Sequence, residues 1–229
     1  IGDGWMHIRP ASDRIVFSQG SPCTIEKLYD GPAETAFRII TRLRLPKVME
    51  DNGHHIHRSE EYVTVPIATT LRLGAENAFV DVETRIRNTA MDHRLKVCFP
   101  TDIPGDTYLA GQAFTVLERP VGQLDHTGDW KEPEYGDRNC NGIIAKRKPE
   151  GQGLAILSAY GLHEAQALKD EHRTLALTLY RSFTKTIGNN DYTQIDGELL
   201  QELDFAYRLM PLTAETPEGA MIRTRDSLQ

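Results

Sequence analysis

The sequence is poor in the features that most often announce a chemistry. Only three of its 229 residues are cysteine, Cys23, Cys98 and Cys140, and no two stand in a Cys-x-x-Cys spacing. So odd and sparse a set excludes a disulfide framework. It leads us to expect buried free thiols in a reducing compartment, hence a cytoplasmic location. There is no excess of basic charge. The formal net charge is -7, which leaves nothing to neutralise phosphates and excludes nucleic acid as the natural partner. No stretch reaches the roughly 18 consecutive apolar residues of a membrane span. The opening IGDGWMHIRP lacks the charged and apolar regions of a signal peptide, and a start at Ile1 without methionine is expected of a piece of a longer chain. Glycine-rich phosphate loops and serine nucleophile elbows are missing too. Aromatic residues make up 7%, with two tryptophans, a thin supply for a sugar-binding module that stacks rings on a concave face.

What is present is alternation. In AETAFRIITRLRL, Phe37, Ile39, Thr41, Leu43 and Leu45 share one face, while Arg38, Arg42 and Arg44 lie on the other. That is the period of a half-buried strand. AFVDVETRIRN repeats it, with Val80, Val82, Thr84 and Ile86 opposite Asp81, Glu83, Arg85 and Arg87. SEEYVTVPIATTLRLG, QAFTVLER, NGIIAK, GLAILSAYG, HEAQALKD, RTLALTLYRSF and LDFAYRLMP read the same way, punctuated by turn signals such as DGP, LGAEN, IPGD and GNND. No segment of eleven residues holds a helical period, although TQIDGELLQEL could form one or two helical turns. About a dozen strands without a linker or repeat predict an all-β protein: one large antiparallel β-sandwich over residues 1–229.

Four stretches could carry chemistry. NTAMDHRLKVCFPTD sets His93 near Cys98, as a base and its nucleophile would be. The run HRLKVCF is a strand, however, with Leu95, Val97 and Phe99 on one side and Arg94, Lys96 and Cys98 on the other. Residues five apart on a strand face opposite ways, so a Cys–His pair is not expected. NGHHIHRSEE could grip a metal through His55 and His57 with Glu60 or Glu61, or be a solvated loop. In HTGDWKEPEYGDRN, Trp130 could stack on a sugar while Glu132 or Asp137 accepts its hydroxyls. Alternatively, Trp130 plugs a sheet edge and the acids are simply solvated. His163 and Glu164, with Arg173 following, could line a sheet face or belong to a plain hairpin.

Together GDGWMHIRP, DGPAETAFRIITRLRLP, the run from RSEEYVTV to KVCFPTD, VLERPVG and GLAILSAYGLHEAQALKDEHRTLALTLYRSF resemble the C-terminal β-domain of family 38 glycoside hydrolases, the α-mannosidases. The likeness is to the bacterial branch, which includes hydrolases of mannosylglycerate. It implies a mutarotase-like supersandwich that serves as the accessory part of a retaining α-mannosidase. In such an enzyme one carboxylate attacks the anomeric carbon and a second acts as acid and base. Those groups, and the zinc ion that grips the substrate, belong to an N-terminal catalytic domain that would be the partner in the same chain. The resemblance therefore assigns no catalytic residue, no metal ligand and no cofactor here. It also implies that Trp5, at a position usually held by tyrosine, reaches toward the catalytic pocket. An α-mannoside substrate and a homo-oligomer are further expectations. The substrate-proximal or interdomain candidates are Trp5, Trp130, Glu132 and Asp137, in the loops 1–10 and 126–140. Two other readings stand beside this one. The first is a stand-alone carbohydrate-binding module. The second is an aldose-epimerase-type enzyme, which would need a histidine and a carboxylate converging from among His93, His126, His163 and Glu164.

Overall fold

A computed structural model describes residues 13–51, 56–124, 129–130, 134–158, 164–184 and 195–228. Alternating sequence makes strands wherever it runs. In chain order these are β1 (Cys23–Asp30), β2 (Glu34–Pro46), β3 (Met49–Asp51), β4 (Ile56–Arg58), β5 (Tyr62–Gly74), β6 (Val80–Arg87), β7 (Arg94–Phe99) and β8 (Thr107–Gly111). They continue with β9 (Val116–Pro120), β10 (Arg138–Asn139), β11 (Ile143–Arg147), β12 (Gly153–Ser158), β13 (Glu164–Ala167), β14 (Leu175–Arg181) and β15 (Glu202–Leu212). A helix, α1 (Glu218–Asp226), follows.

Nine strands form one antiparallel sheet in the order β1-β2-β5-β6-β15-β12-β11-β8-β9, and four form a second in the order β10-β13-β14-β7. The longest ladder joins β2 to β5 without a slip, from Glu34 opposite Gly74 to Pro46 opposite Tyr62. Register matters here because a shift of one residue would turn Leu43, Leu45, Val65 and Val82 outward. In place, they pack with Ile86, Ile144, Ile156 and Tyr207 against Leu175, Leu177, Leu179 and Tyr180 of the small sheet. A second cluster lies on the opposite face of the large sheet. There Ile143, Ala145, Ala155, Leu157, Met210 and Leu212 meet Met221 of α1. One end of the large sheet is thus covered on both sides.

Among the described residues the other end is covered less completely. The inward face of β2 runs from buried Leu45 and Leu43 outward to Phe37, which is 38% exposed. Its neighbours at that end are exposed as well: Ile25 lies opposite Ile39 on β1, and Leu73 lies opposite Thr35 on β5. Four strands cannot cover nine, so the core face continues as an apolar overhang.

The all-β antiparallel sandwich expected from alternation is the one found. Three local expectations are revised. Where NGHHIHRSEE suggests only a solvated loop, Ile56–Arg58 pairs with Met49–Asp51 in the short hairpin β3–β4. Helix α1 is not expected from the pattern, because its nine residues are shorter than the window in which a helical period shows. It is held by Met221 against the sheet rather than by a strong apolar stripe of its own. Of the three thiols expected to be buried, only Cys140 is; Cys23 and Cys98 sit on exposed positions of edge strands. The sequence TQIDGELLQEL supplies a single 3-10 turn, Ile195–Glu198, before β15 begins.

Replacing Leu177, 1% exposed in the shared core, with alanine should cost about 2–5 kcal/mol in urea unfolding. Ile25→Ala on the overhang, where the side chain is 67% exposed, should stay within about 0.5 kcal/mol.

Candidate functional site

The Asp92–His93 turn before β7 is a buried polar joint, not a nucleophile and its base. His93 Nε2 lies 2.8 Å from the Tyr180 hydroxyl and Nδ1 lies 3.2 Å from Ser182 Oγ. The imidazole also stands edge-on to the Tyr180 ring. Burial drives its pKa down to about 4, and the nearby Arg58 charge acts in the same direction. Cys98 points to the other face of β7. Its surroundings raise the thiol pKa, mainly by desolvation, so no thiolate is prepared for attack.

The turn is fastened from below. Asp92 takes a left-handed conformation at φ 53°, and its backbone N–H donates to Glu198 Oε2 at 2.8 Å. The Thr184 hydroxyl lies between two carboxylates, 3.0 Å from Asp92 Oδ1 and in close hydrogen-bond contact with Glu198 Oε1. Arg58 donates to the carbonyls of Asp92, Pro46 and Met91 at 2.7, 2.9 and 3.1 Å. Glu198 is wholly buried, and its pKa is raised, first by desolvation. Sequence patterning did not single out Arg58, Thr184 or Glu198. Their signal is a set of polar residues at strand and turn ends, brought together only by the fold.

A second assembly lies on the face of the small sheet turned away from the core. Antiparallel register sets Thr178 of β14 opposite Lys96 of β7, while Ala165 of β13 stands opposite Leu177. Glu164, Thr178 and Lys96 therefore fall in one row. Gly136, at φ 85°, turns the preceding loop over this row. The left-handed backbone at this position favours glycine, and a β-carbon would also come within 2.5 Å of Gln166 Nε2. The turn delivers Asp137. Its Oδ2 lies 2.9 Å from Arg94 Nη1 and its Oδ1 accepts a hydrogen bond from the Lys96 ammonium. Lys96 also donates to Gln166 Oε1 at 3.0 Å. Glu164 Oε2 lies 4.0 Å from the same Arg94 nitrogen. Burial lowers the Lys96 pKa, while the Asp137 charge opposes that shift. Of the sequence candidates, then, Asp137 and Glu164 meet. Arg94 and Lys96, which the alternation places on the polar side of the strand, join them.

The remaining candidates are scattered. Trp130 is about half exposed in its loop. His57 Nε2 sits 3.3 Å from Glu50 Oε2 across the β3–β4 hairpin, not beside Glu60 or Glu61. His172 Nδ1 and Asp102 Oδ1 are 2.7 Å apart, but both side chains are more than half exposed and form no cleft floor. Arg173 reaches Asp106 at 3.5 Å. Trp5, His55, His126, Glu132 and His163 lie outside the described residues. Among the described residues no three of His, Cys, Asp or Glu are grouped so as to hold a metal ion.

Residues 3–190 match the model of the glycosyl hydrolases family 38 C-terminal domain. The chain belongs to that family. Its fold is shared with two solved structures from Enterococcus faecalis. One is described as a protein in glycosyl hydrolase family 38, with a TM-score of 0.80, and the other as an alpha-mannosidase of strain V583, with a TM-score of 0.83. Each is 21% identical, and this chain is covered over 98% and 99% of its length. A protein of Halalkalibacterium halodurans named "Putative mannosylglycerate hydrolase" is 31% identical over 127 residues, 55% of this chain. The match spans 13% of that relative, and the structural matches span 26% of theirs. This family 38 domain thus accounts for only a fraction of each relative's length. No helix of its described residues is long and apolar enough to cross a membrane.

His93 ties the stability of the family 38 domain to pH. Its folded pKa of about 4 lies below the ordinary 6.5. Unfolded chains therefore take up the proton first, and stability present above pH 6.5 is lost as pH falls toward 4. The loss attributable to His93 between pH 7 and pH 5 should be about 2 kcal/mol. Glu198, with its pKa raised, acts in the opposite sense, so the contribution is isolated by comparison with His93→Gln. In urea unfolding the native chain should lose more stability over this interval than the variant does.

Proposed function

We propose that the chain is the C-terminal accessory portion of a retaining α-mannosidase and works by supporting, and walling one side of, the active site of an N-terminal catalytic domain in the same protein. The family match over residues 3–190 carries the reading. The fraction of each relative that the chain spans supports it, as does the apolar overhang at Ile25, Phe37 and Leu73. A sheet face left bare in this way is suited to burial against another unit. A rigid wall matters to catalysis because small displacements at a reacting centre are costly in rate. In this reading the nucleophile, the acid/base and the zinc ion all belong to the catalytic domain, the substrate is an α-mannoside, and the enzyme works in the cytoplasm. Trp5 and the loops around 126–140 are the parts proposed to lie nearest the substrate.

The test is hydrolysis of an aryl α-mannoside, with zinc supplied, by this chain and by the longer protein that contains it. The longer protein should turn over and the 229-residue chain should not. Turnover by the chain alone would place a catalytic centre within it and refute the reading. An inactive longer protein would remove the α-mannosidase assignment.

A further inference from the structure

The buried joint at the entry to β7 holds two carboxyl groups and too few protons for both to be ionised. Thr184 Oγ1 lies 3.0 Å from Asp92 Oδ1 and in closer contact with Glu198 Oε1. A hydroxyl carries one proton and can donate it to only one of them. With both acids ionised, the other contact would set oxygen against oxygen with no hydrogen between. Neither group can turn to water instead, because Glu198 is wholly buried and Asp92 is 7% exposed. The charges around the pair do not offset two carboxylates. Arg58 supplies one cation, which donates to the carbonyls of Asp92, Pro46 and Met91. Asp13 and Arg14 act on Arg58 in opposite senses. Burial keeps the His93 ring neutral down to a pH of about 4. Asp196, on the same turn as Glu198, is exposed.

We propose that Asp92 and Glu198 hold one proton between them, carried on Glu198 Oε1, and that this proton clasps the segments on either side of the joint. The Glu198 carboxyl donates it to Thr184 Oγ1, and the Thr184 hydroxyl donates in turn to Asp92 Oδ1. The remaining oxygens are already matched. Glu198 Oε2 accepts the Asp92 N–H at 2.8 Å, and Asp92 Oδ2 accepts the Met49 N–H at 3.3 Å. One cation, one carboxylate and one neutral acid leave the joint without net charge, the state that burial favours. Desolvation raises the Glu198 pKa, and the Asp92 charge acts in the same direction. The clasp ties the 3-10 turn Ile195–Glu198, which leads into β15, to the turn into β7 and to the chain that leaves β14. Loss of the proton sets two carboxylates against each other at that point. The clasp is therefore an alkaline-sensitive release built into the fold. It lies within this chain and does not depend on the accessory-domain reading.

The experiment is 13C NMR of the 229-residue chain labelled at its glutamate side-chain carboxyls, followed as pH is raised. One glutamate carbon should keep the acid-form shift after the others have reached the carboxylate shift, and Glu198→Gln should lack it. Asp92→Asn, which keeps a residue tolerant of the left-handed backbone, should move that late titration to lower pH. Urea unfolding gives a second readout. The folded pKa of Glu198 lies above the ordinary 4.5, so the folded chain keeps a proton that the unfolded chain gives up. Its stabilisation is complete below 4.5 and is lost as pH rises through the folded value. The urea midpoint of the native chain should therefore fall relative to that of Glu198→Gln as pH rises; His93 is common to both. Glu198→Gln should fold, because an amide has the donor and the acceptor of the neutral acid. Several results would overturn the proposal: no late-titrating glutamate, one that survives in Glu198→Gln or is unmoved by Asp92→Asn, a midpoint difference that does not change with pH, or a Glu198→Gln chain that does not fold.

Discussion

The constraint on which the rest depends is the mismatch between a nine-stranded sheet and its four-stranded cover. Leu43, Leu45, Val65, Val82 and Ile86 are buried because β7, β14 and β13 lie over them. The same apolar alternation carries on past the edge of that cover to Phe37 and Ile25. At the far end, α1 backs the sheet through Met221, so strands β11, β12 and β15 are shielded on both faces. Packing is dense at one end and single-layered at the other. The hydrophobic effect is proportional to apolar area removed from water, so the overhang contributes little to the stability of this chain alone. It would contribute more when covered.

Two polar assemblies flank the small sheet, and they do different work. The Arg58–Asp92–Thr184–Glu198 group is closed: its polar atoms are spent on backbone and on one another, and it fixes the path of the chain into β7 and toward β15. Removing one member would strand the others, which is why such networks are all-or-nothing. The Arg94–Lys96–Asp137–Glu164 group lies on the outward face, partly exposed, and its ion pairs hold the turn at residues 136–138 against the sheet.

Much of the fold was legible in the sequence because a period of two is a direct imprint of a half-buried strand. AFVDVETRIRN and AETAFRIITRLRL became β6 and β2 with the faces that their alternation assigned. The HRLKVCF alternation placed Cys98 and His93 on separate sides, and they are separate. Less legible was whatever depends on contacts between distant segments. Nothing in the local pattern marks Glu198, which is wholly buried because its partners lie at positions 92 and 184. Asp137 was singled out as a loop acid. Its meeting with Lys96 depends on the Gly136 turn and on cross-strand register, and neither shows in local pattern. Helix α1 was missed because tertiary burial of Met221, not periodicity, holds it.

The most direct measurement of the unequal-cover account is residue-resolved amide hydrogen exchange on this chain. Local stability should follow coverage. Amides of residues 82–86, 155–157 and 175–179 should exchange slowest, through global unfolding. Amides of residues 24–29, and of 35–40 and 69–73 in the overhang, should open at lower free energy although they are hydrogen-bonded on the ladder. Equal protection across β2, from residue 36 to residue 45, would contradict the account, because it would mean that the bare end of the sheet is as firmly held as the end beneath the small sheet.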